Sequence, residues 1–324
     1  MIIAVDATGG EYAPHEVVKG AIKAANEYEV EIALVGSKTI LHVLAGRHLK
    51  KPGISIVEAS QTIGPQEQPM KAVRSKPDSS IVVGVNLVRD GAVSAFVSAG
   101  NTGAVVCAAL LNLEKIKSIG RPALGCVLRL TPGSPVFLID AGANVDSRPS
   151  HMVQFAQLGT LYAREILDIS SPRVGLLSNG EEATKGNRLT QESYRLLSGS
   201  NLNFVGNVEG QDMTKRTVDV IVTDGFVGNI VIKTIEGLSE TFLTSLRQVG
   251  KTFSGTLLRD IGLGSWAKRI DYREYGGACL LGVKGNVIIA HGRSQTRAIK
   301  NAIGLAIQTV ERDIAQLIER GNYE

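Results

Sequence analysis

Five apolar runs lead straight into turns rich in Gly, Asn and Asp. They read VDATGG (5–10), SAGNTGA (98–104), DAGANVD (140–146), SNGEEATKGN (178–187) and TDGFVGN (223–229), and a sixth, AHGRS, spans 290–294. Glycine lets backbone N–H groups come close to a ligand. A helix that follows such a turn adds unpaired N–H groups and the positive end of its dipole. Together these residue types suit the holding of an anion. SAGNTGA is the clearest case, because a strand pattern ends at its Ser98, Asn101 and Thr102 offer side-chain donors, and a helical pattern begins near Gly103. One such turn alone is more often structural than functional, since Gly and Asn serve any strand-to-helix turn. Six at the ends of successive apolar runs are harder to assign to structure alone.

Other chemistries lack their signatures. No turn fits GxGxxG or GxxxxGK[ST], and there is no GxSxG or HExxH. Cys107, Cys126 and Cys279 stand far apart with no CxxC spacing, so neither a disulfide framework nor a zinc site is indicated. No metal and no cofactor is expected. Cys107 and Cys126 fall inside apolar patterns and read as packing residues. The histidines are scattered. His151 suits a structural place at the start of a helix, while His291, just past a strand end, suits either structure or proton transfer. Asp6, Asp140, Asp146 and Asp224 suit helix caps and turns as well as chemistry.

The elements that must carry these turns alternate. Strand patterns cover Ile2–Val5, Glu31–Val35, Ser55–Val57, Ala92–Val97, Leu124–Leu128, Val136–Ile139, Val174–Leu177, Asn203–Val205, Val218–Val222 and Val287–Ala290. Helical patterns cover Pro14–Asn26, Lys38–Ala45, Ser79–Arg89, Gly103–Lys115, Pro149–Leu167, Asn187–Leu197, Phe226–Leu246 and Gln295–Glu319. This order predicts an α/β protein with a mostly parallel sheet and helices on both faces. No Pro/Ser linker divides the 324 residues, so the expectation is a single two-lobed α/β unit over 1–324. Ligands of such sheets bind at the carboxyl ends of the strands.

The composition supports a folded chain: 44% of residues are hydrophobic, 20% are charged, and the net charge is only +4. That balance, with aromatics at 5%, does not suit a nucleic-acid binder. MIIAVD is too short for a signal-peptide core, and no run approaches the ~20 apolar residues of a membrane span. A cytoplasmic protein is expected. Residues 247–273 differ from the rest, with Arg247, Lys251, Arg259, Lys268, Arg269 and Arg273 set around Leu257, Leu258, Ile261, Leu263 and Trp266. They predict a helical hairpin at about 240–273 with an apolar tip and a basic rim. Such a hairpin suits an anionic membrane surface, a partner protein, or packing between subunits.

In this order, the turns resemble those of the bacterial phosphate acyltransferases (acyl-carrier-protein:phosphate acyltransferases, the PlsX type). The matching stretches include AVDATGG, APHEVVKGA, SKPDSSIVVG, VSAGNTGA, DAGANVD, GEEATKGN, NFVGNVEGQD, TDGFVGNIVIKTIEG, EYGGACLLGVKG and IIAHGRSQTRAIKNAI, and they run from residue 4 to about 303. Thr8, Glu11 and Cys279 depart from the family pattern, which has Met, Asp and Pro at those places. The resemblance implies a fold similar to isopropylmalate dehydrogenases and phosphotransacetylases, and a homodimer. It also implies a reaction in which acyl-ACP and inorganic phosphate give acyl-phosphate and free acyl carrier protein. A membrane glycerol-3-phosphate acyltransferase would then use the product for phospholipid (phosphatidic acid) synthesis, and the enzyme would work peripherally at the inner face of the cell membrane. Placed on these motifs, Ser98, Asn101, Thr102, Gly103, Asn144, Asn179 and Asn187 are expected to bind substrate. Lys185, Asn229, Asp224 and His291 are expected to act in catalysis: Lys185 as a positive charge, Asn229 as a donor, Asp224 as an orienting group and His291 as the acid for the leaving sulfur.

Overall fold

A computed structural model describes residues 1–50, 53–131, 135–252 and 276–321. In chain order its elements begin with β1 (Ile2–Asp6), α1 (His15–Tyr28), β2 (Glu31–Gly36), α2 (Lys38–Ala45), β3 (Ile54–Glu58), α3 (Pro69–Ser75), α4 (Ser80–Arg89), β4 (Ala95–Ser98) and α5 (Thr102–Asn112). Next come β5 (Ala123–Leu128), β6 (Val136–Ile139), α6 (Pro149–Leu167), β7 (Val174–Leu177), α7 (Arg188–Ser198), β8 (Phe204–Val208), β9 (Val220–Val222) and α8 (Gly225–Thr252). The chain continues with β10 (Ala278–Leu281), β11 (Asn286–Ile289), α9 (Thr296–Glu311) and α10 (Ile314–Glu319). Two compact units result: Met1–Leu124 with Gly276–Glu324, and Gly125–Tyr275.

In the first unit the strand order is β3-β2-β1-β4-β11-β10. All neighbours are parallel except β10, which runs antiparallel to β11. The chain moves outward from β1 to β3 through α1 and α2, then returns to β4 through α3 and α4. Right-handed crossovers put those two sets of helices on opposite faces. Close packing fixes both layers. A Cβ on Gly20 of α1 would lie 2.7 Å from Cβ of Ile299 in α9, and one on Gly84 of α4 would lie 2.1 Å from the Phe96 ring of β4.

In the second unit the order is β5-β6-β9-β7-β8, with β5 antiparallel to β6 and the rest parallel. Neighbouring residues of β6 point to opposite faces. Phe137 stacks on Tyr162 of α6 with ring centroids 4.0 Å apart. Leu138 joins Val208, Met213, Val218 and Ile221, against which Val231, Ile232 and Ile235 of α8 pack. Helices therefore cover both faces of this unit's sheet as well.

The strand and helix patterns of the sequence are found in place, with ends shifted by a few residues. The pattern over Gln295–Glu319 breaks in two at Asp313, whose φ is 51°. The sequence reading has no strand at Ala278–Leu281 and no helix at Pro69–Ser75. β10 has only four residues and is bracketed by glycines 276, 277 and 282, all at positive φ, so it reads as a loop. The apolar tip of the expected hairpin, Leu257, Leu258, Ile261, Leu263 and Trp266, lies outside the described residues. Among the described residues no helix is long and apolar enough to cross a membrane.

α9 is capped from another helix. Gln295 makes no side-chain cap bond, and the Glu16 carboxylate of α1 instead accepts from Thr296 N at 3.1 Å and Thr296 Oγ1 at 2.5 Å. These bonds, with Lys19 at 3.0 Å, hold the Glu16 pKa down at about 2. A carboxylate whose pKa is depressed on folding adds stability above its unfolded pKa, near 4.5, and that stability is lost as pH falls through the folded value. Thr296→Val should therefore cost about 1 kcal/mol at pH 7 in urea unfolding, and the cost should shrink between pH 4.5 and 2. An equal cost at pH 7 and pH 2 would assign the loss to packing alone.

Candidate functional site

In the first unit, turns 6–11, 98–103 and 290–294 leave the carboxyl ends of β1, β4 and β11, which are adjacent and parallel. The fully buried Asp6 organises them. Its Oδ1 accepts from Thr8 N at 3.1 Å, Gly9 N at 3.1 Å and Thr8 Oγ1 at 3.2 Å, and its Oδ2 accepts from Ser98 Oγ at 2.7 Å. Ser98 Oγ in turn accepts from Gly100 N at 3.0 Å. Thr8 Oγ1 also lies 2.7 Å from Ser80 Oγ, which puts a hydroxyl into the turn network. Gly9 is needed here because a Cβ would stand 2.3 Å from Asp6 Oδ2 and 2.7 Å from Gly100 N. Glu11 N donates to Gly292 O at 2.7 Å, which joins the third turn.

This network decides which groups remain for a ligand. Thr8 N and Gly9 N are spent on Asp6, and a buried carboxylate beside them opposes a second anion. Ser98 is 1% exposed with its hydroxyl committed on both sides, so it shapes the turn. Asn101 is engaged at both ends. Its Oδ1 caps α5 through Ala104 N at 3.1 Å, and its Nδ2 donates to the carbonyls of Gly64, Pro65 and Glu67 at 3.1–3.3 Å. Thr102 and Gly103 are the first two residues of α5, where helix geometry leaves N–H groups without intrahelical acceptors. Thr102 is exposed. The anion-binding capacity of SAGNTGA thus concentrates on the backbone at 102–103. His291 is half-buried, and its Nδ1 accepts from Arg293 N at 3.2 Å, which puts the proton of the neutral ring on Nε2.

The second unit repeats the device. Turns 140–146, 223–229 and 178–187 follow β6, β9 and β7, again adjacent and parallel. Asp140, fully buried, accepts from Gly142 N and Ala143 N at 3.1 and 3.0 Å through Oδ1, and from Asn144 N and Nδ2 at 2.8 Å each through Oδ2. Asn144 is thereby part of the turn's frame, and its carbonyl accepts from Gly225 N at 2.8 Å. A Cβ on Gly228 would stand 1.9 Å from Asp140 O. Asp224 caps α8, accepting from Phe226 N and Val227 N at 3.0 Å each. Asn229 is exposed on the first turn of α8, beside Gly142.

The third turn of this unit gathers Asn179, Lys185 and Asn187. Asn179 Oδ1 accepts from Gly186 N at 2.9 Å, and Asn187 caps α7 through Thr190 N at 2.9 Å. Asn207 Nδ2 donates to Glu182 O at 2.8 Å, and Gln191 Nε2 donates to Thr184 O at 2.8 Å, so side chains on both sides pin the loop. On it, Lys185 is exposed, makes no ion pair among the described residues, and lays its stem over Gly180, where a Cβ would meet Cγ at 2.7 Å. Nearby carboxylates of Glu181, Glu209 and Asp212 lie within 4.8 Å of one another, and Lys215 bonds Asp212 at 2.9 Å. Sequence reasoning did not single out this cluster or the full roles of Asp6 and Asp140. The available signal for the two aspartates was the Asp-Ala pair at 6–7 and 140–141, each closing an apolar run before a Gly-rich turn.

Asp6→Ala and Asp140→Ala should each lower unfolding stability by about 3 kcal/mol or more, because each strands several inward-facing donors. A loss below 1 kcal/mol in urea unfolding would show that water replaces the carboxylate.

Comparison with known proteins places these turns in a family. A family model described as "Fatty acid synthesis protein" matches residues 1–317. A phosphate acyltransferase of Dehalococcoides mccartyi is 53% identical over 325 residues, covering 98% of this chain and 93% of that protein. Among solved structures, a phosphotransacetylase from Streptococcus pyogenes matches with a TM-score of 0.62 at 18% identity, covering 96% of this chain and 94% of that one. A 4-hydroxythreonine-4-phosphate dehydrogenase from Klebsiella pneumoniae matches with a TM-score of 0.54 at 13% identity, over 95% and 98% of the two chains. Those two structures share the fold with this chain. The sequence matches, spanning nearly every residue described above, show that the chain belongs to the phosphate acyltransferase family of fatty acid synthesis proteins.

Proposed function

We propose that this acyltransferase moves a fatty acyl group from acyl carrier protein to inorganic phosphate by direct attack of a phosphate oxygen on the thioester. Phosphate near neutral pH already carries unprotonated oxygens, so it needs positioning and desolvation more than a base. The observation that carries this reading is the start of α5, where exposed Thr102 and half-buried Gly103 present N–H groups beyond a turn locked by Asp6 and Ser98. Attack on the carbonyl carbon forms a tetrahedral oxyanion, which donors stabilise. Its collapse breaks the C–S bond and releases the carrier thiolate, whose pKa near 8.5 makes a strong acid unnecessary. Lys185 supplies positive charge to phosphate or oxyanion, and the amides of Asn179, Asn187 and Asn229 donate hydrogen bonds. Asp224 acts on this chemistry by fixing the start of α8 beside Asn229, and His291 donates a hydrogen bond from its Nε2–H to the leaving sulfur, the thiolate taking its proton from solvent.

The cysteines support direct attack. Burial raises the pKa of Cys107, pushes that of Cys279 up to about 12, and drives that of Cys126 far above the ordinary thiol range, helped by Glu236 and Asp140. None is a ready thiolate for an acyl-enzyme. The proposed setting is cytoplasmic, as a homodimer at the inner face of the cell membrane. Leu257, Leu258, Ile261, Leu263 and Trp266 supply apolar contact there, and a membrane glycerol-3-phosphate acyltransferase takes the acyl-phosphate toward phosphatidic acid.

Acyl-ACP mixed with the enzyme should release free carrier thiol only when phosphate is present, and Lys185→Ala should lower kcat/KM by about 100-fold, in line with the loss of a group that stabilises an oxyanion. Phosphate-independent thiol release, or a covalently acylated protein after mixing with acyl-ACP alone, would contradict direct attack. Unchanged turnover in the folded variant would remove Lys185 from the mechanism.

A further inference from the structure

The sequence patterns pass over α3, and no residue of the site above needs its outer face. Ala72 and Val73 are buried toward the core, while Gln68, Met70, Lys71, Arg74 and Ser75 are exposed and line a concavity of about 450 Å³. The charges here are unbalanced. Lys76 and Glu67 pair at 2.7 Å, and Asp78 is occupied by the Ser60 N–H and hydroxyl. Lys71 and Arg74 have no ion-pair partner among the described residues. Spaced three apart, they stand on one side of the helix with Gln68 and Ser75.

This face is tied to the anion-binding turn. Asn101, the cap of α5, holds the 64–67 loop through three carbonyls, and Lys76 and Gly64 N fasten Glu67 from the other side. Pro69, the first residue of α3, touches the start of α5, so that a Cβ on Gly103 would lie 2.6 Å from Pro69 Cγ. A seven-residue helix is about 10 Å long. Lys71 and Arg74 therefore lie within one short helix of Thr102 and Gly103, a span that a pantetheine arm can bridge.

Resting on the reading that the acyl donor is a carrier protein, we infer that Lys71, Arg74 and Met70 form the docking surface for an acidic helix of acyl carrier protein. The two cations meet its carboxylates, the Met70 thioether packs on its apolar ridge, and the pantetheine arm passes toward the start of α5. Opposite charges at such a rim act on capture of the partner and leave the chemical step alone.

The test measures acyl-phosphate formation by wild type, Lys71→Glu/Arg74→Glu, Lys71→Ala/Arg74→Ala and a distant control, Lys117→Glu. The donors are an acylated carrier protein and a carrier-free decanoyl-pantetheine thioester. The charge-reversed enzyme should show a KM for the carrier raised about tenfold with kcat unchanged, and a flatter dependence of KM on salt. The alanine pair should show a smaller rise, and the control none. Turnover of decanoyl-pantetheine should be equal in all four. An unchanged carrier KM, an equal loss with both donors, or a loss confined to flotation with anionic vesicles would overturn the docking surface. If wild type used decanoyl-pantetheine but not the acylated carrier, the carrier reading itself would fall.

Discussion

Two buried carboxylates, Asp6 and Asp140, hold the chemistry-bearing ends of this fold in shape. Each sits at the end of a central strand and draws the N–H groups of the following turn inward at 2.8–3.1 Å. A buried carboxylate is expensive to desolvate unless several donors meet it. The turns supply those donors and can do so only with Gly close by, since side chains at Gly9 and Gly228 would collide with the aspartates or their neighbours. Removing either carboxylate would leave inward-facing donors with nothing to bind. The turns and their aspartates therefore specify one another.

This constraint separates two uses of Gly- and Asn-rich turns that look alike. Where the N–H groups point at a carboxylate the turn is scaffold, and where a helix start is left open the turn can take an anion. In SAGNTGA both occur within six residues: Ser98 and Gly100 belong to the scaffold, and Thr102 and Gly103 to the opening. The amide of Asn101 joins them, capping α5 with its oxygen and anchoring the 64–67 loop with its nitrogen. A turn framed in this way holds its remaining N–H groups in fixed positions, the kind of preorganised donor that stabilises developing negative charge.

Most of the fold was legible because its strands are short, apolar and punctuated, and most of its helices carry a 3.6-residue period, α5 with its run of apolar residues being the exception. Val136–Ile139, Val174–Leu177 and Pro149–Leu167 fall at the bounds read from sequence. What escaped had weak local signals. β10 is four residues between positive-φ glycines, and α3 is seven residues whose start is set by Pro69 and by distant bonds from Asn101. The site was legible at the level of turns and less so at the level of atoms. That Ser98 faces the buried Asp6 depends on β1 and β4 lying side by side, and strand order is not written in the local pattern. Asp224 carried the signature of a helix cap and caps α8, while Asn187, expected to bind substrate, caps α7 through its side-chain oxygen.

Amide shifts of the isotope-labelled protein during a phosphate titration test the central claim most directly. The account predicts that the signals of Thr102 and Gly103 move and saturate together, while those of Thr8, Gly9, Gly142 and Ala143, already bonded to aspartate, stay in place. Saturating shifts at Gly9 and Gly142 with none at Thr102 and Gly103 would contradict it.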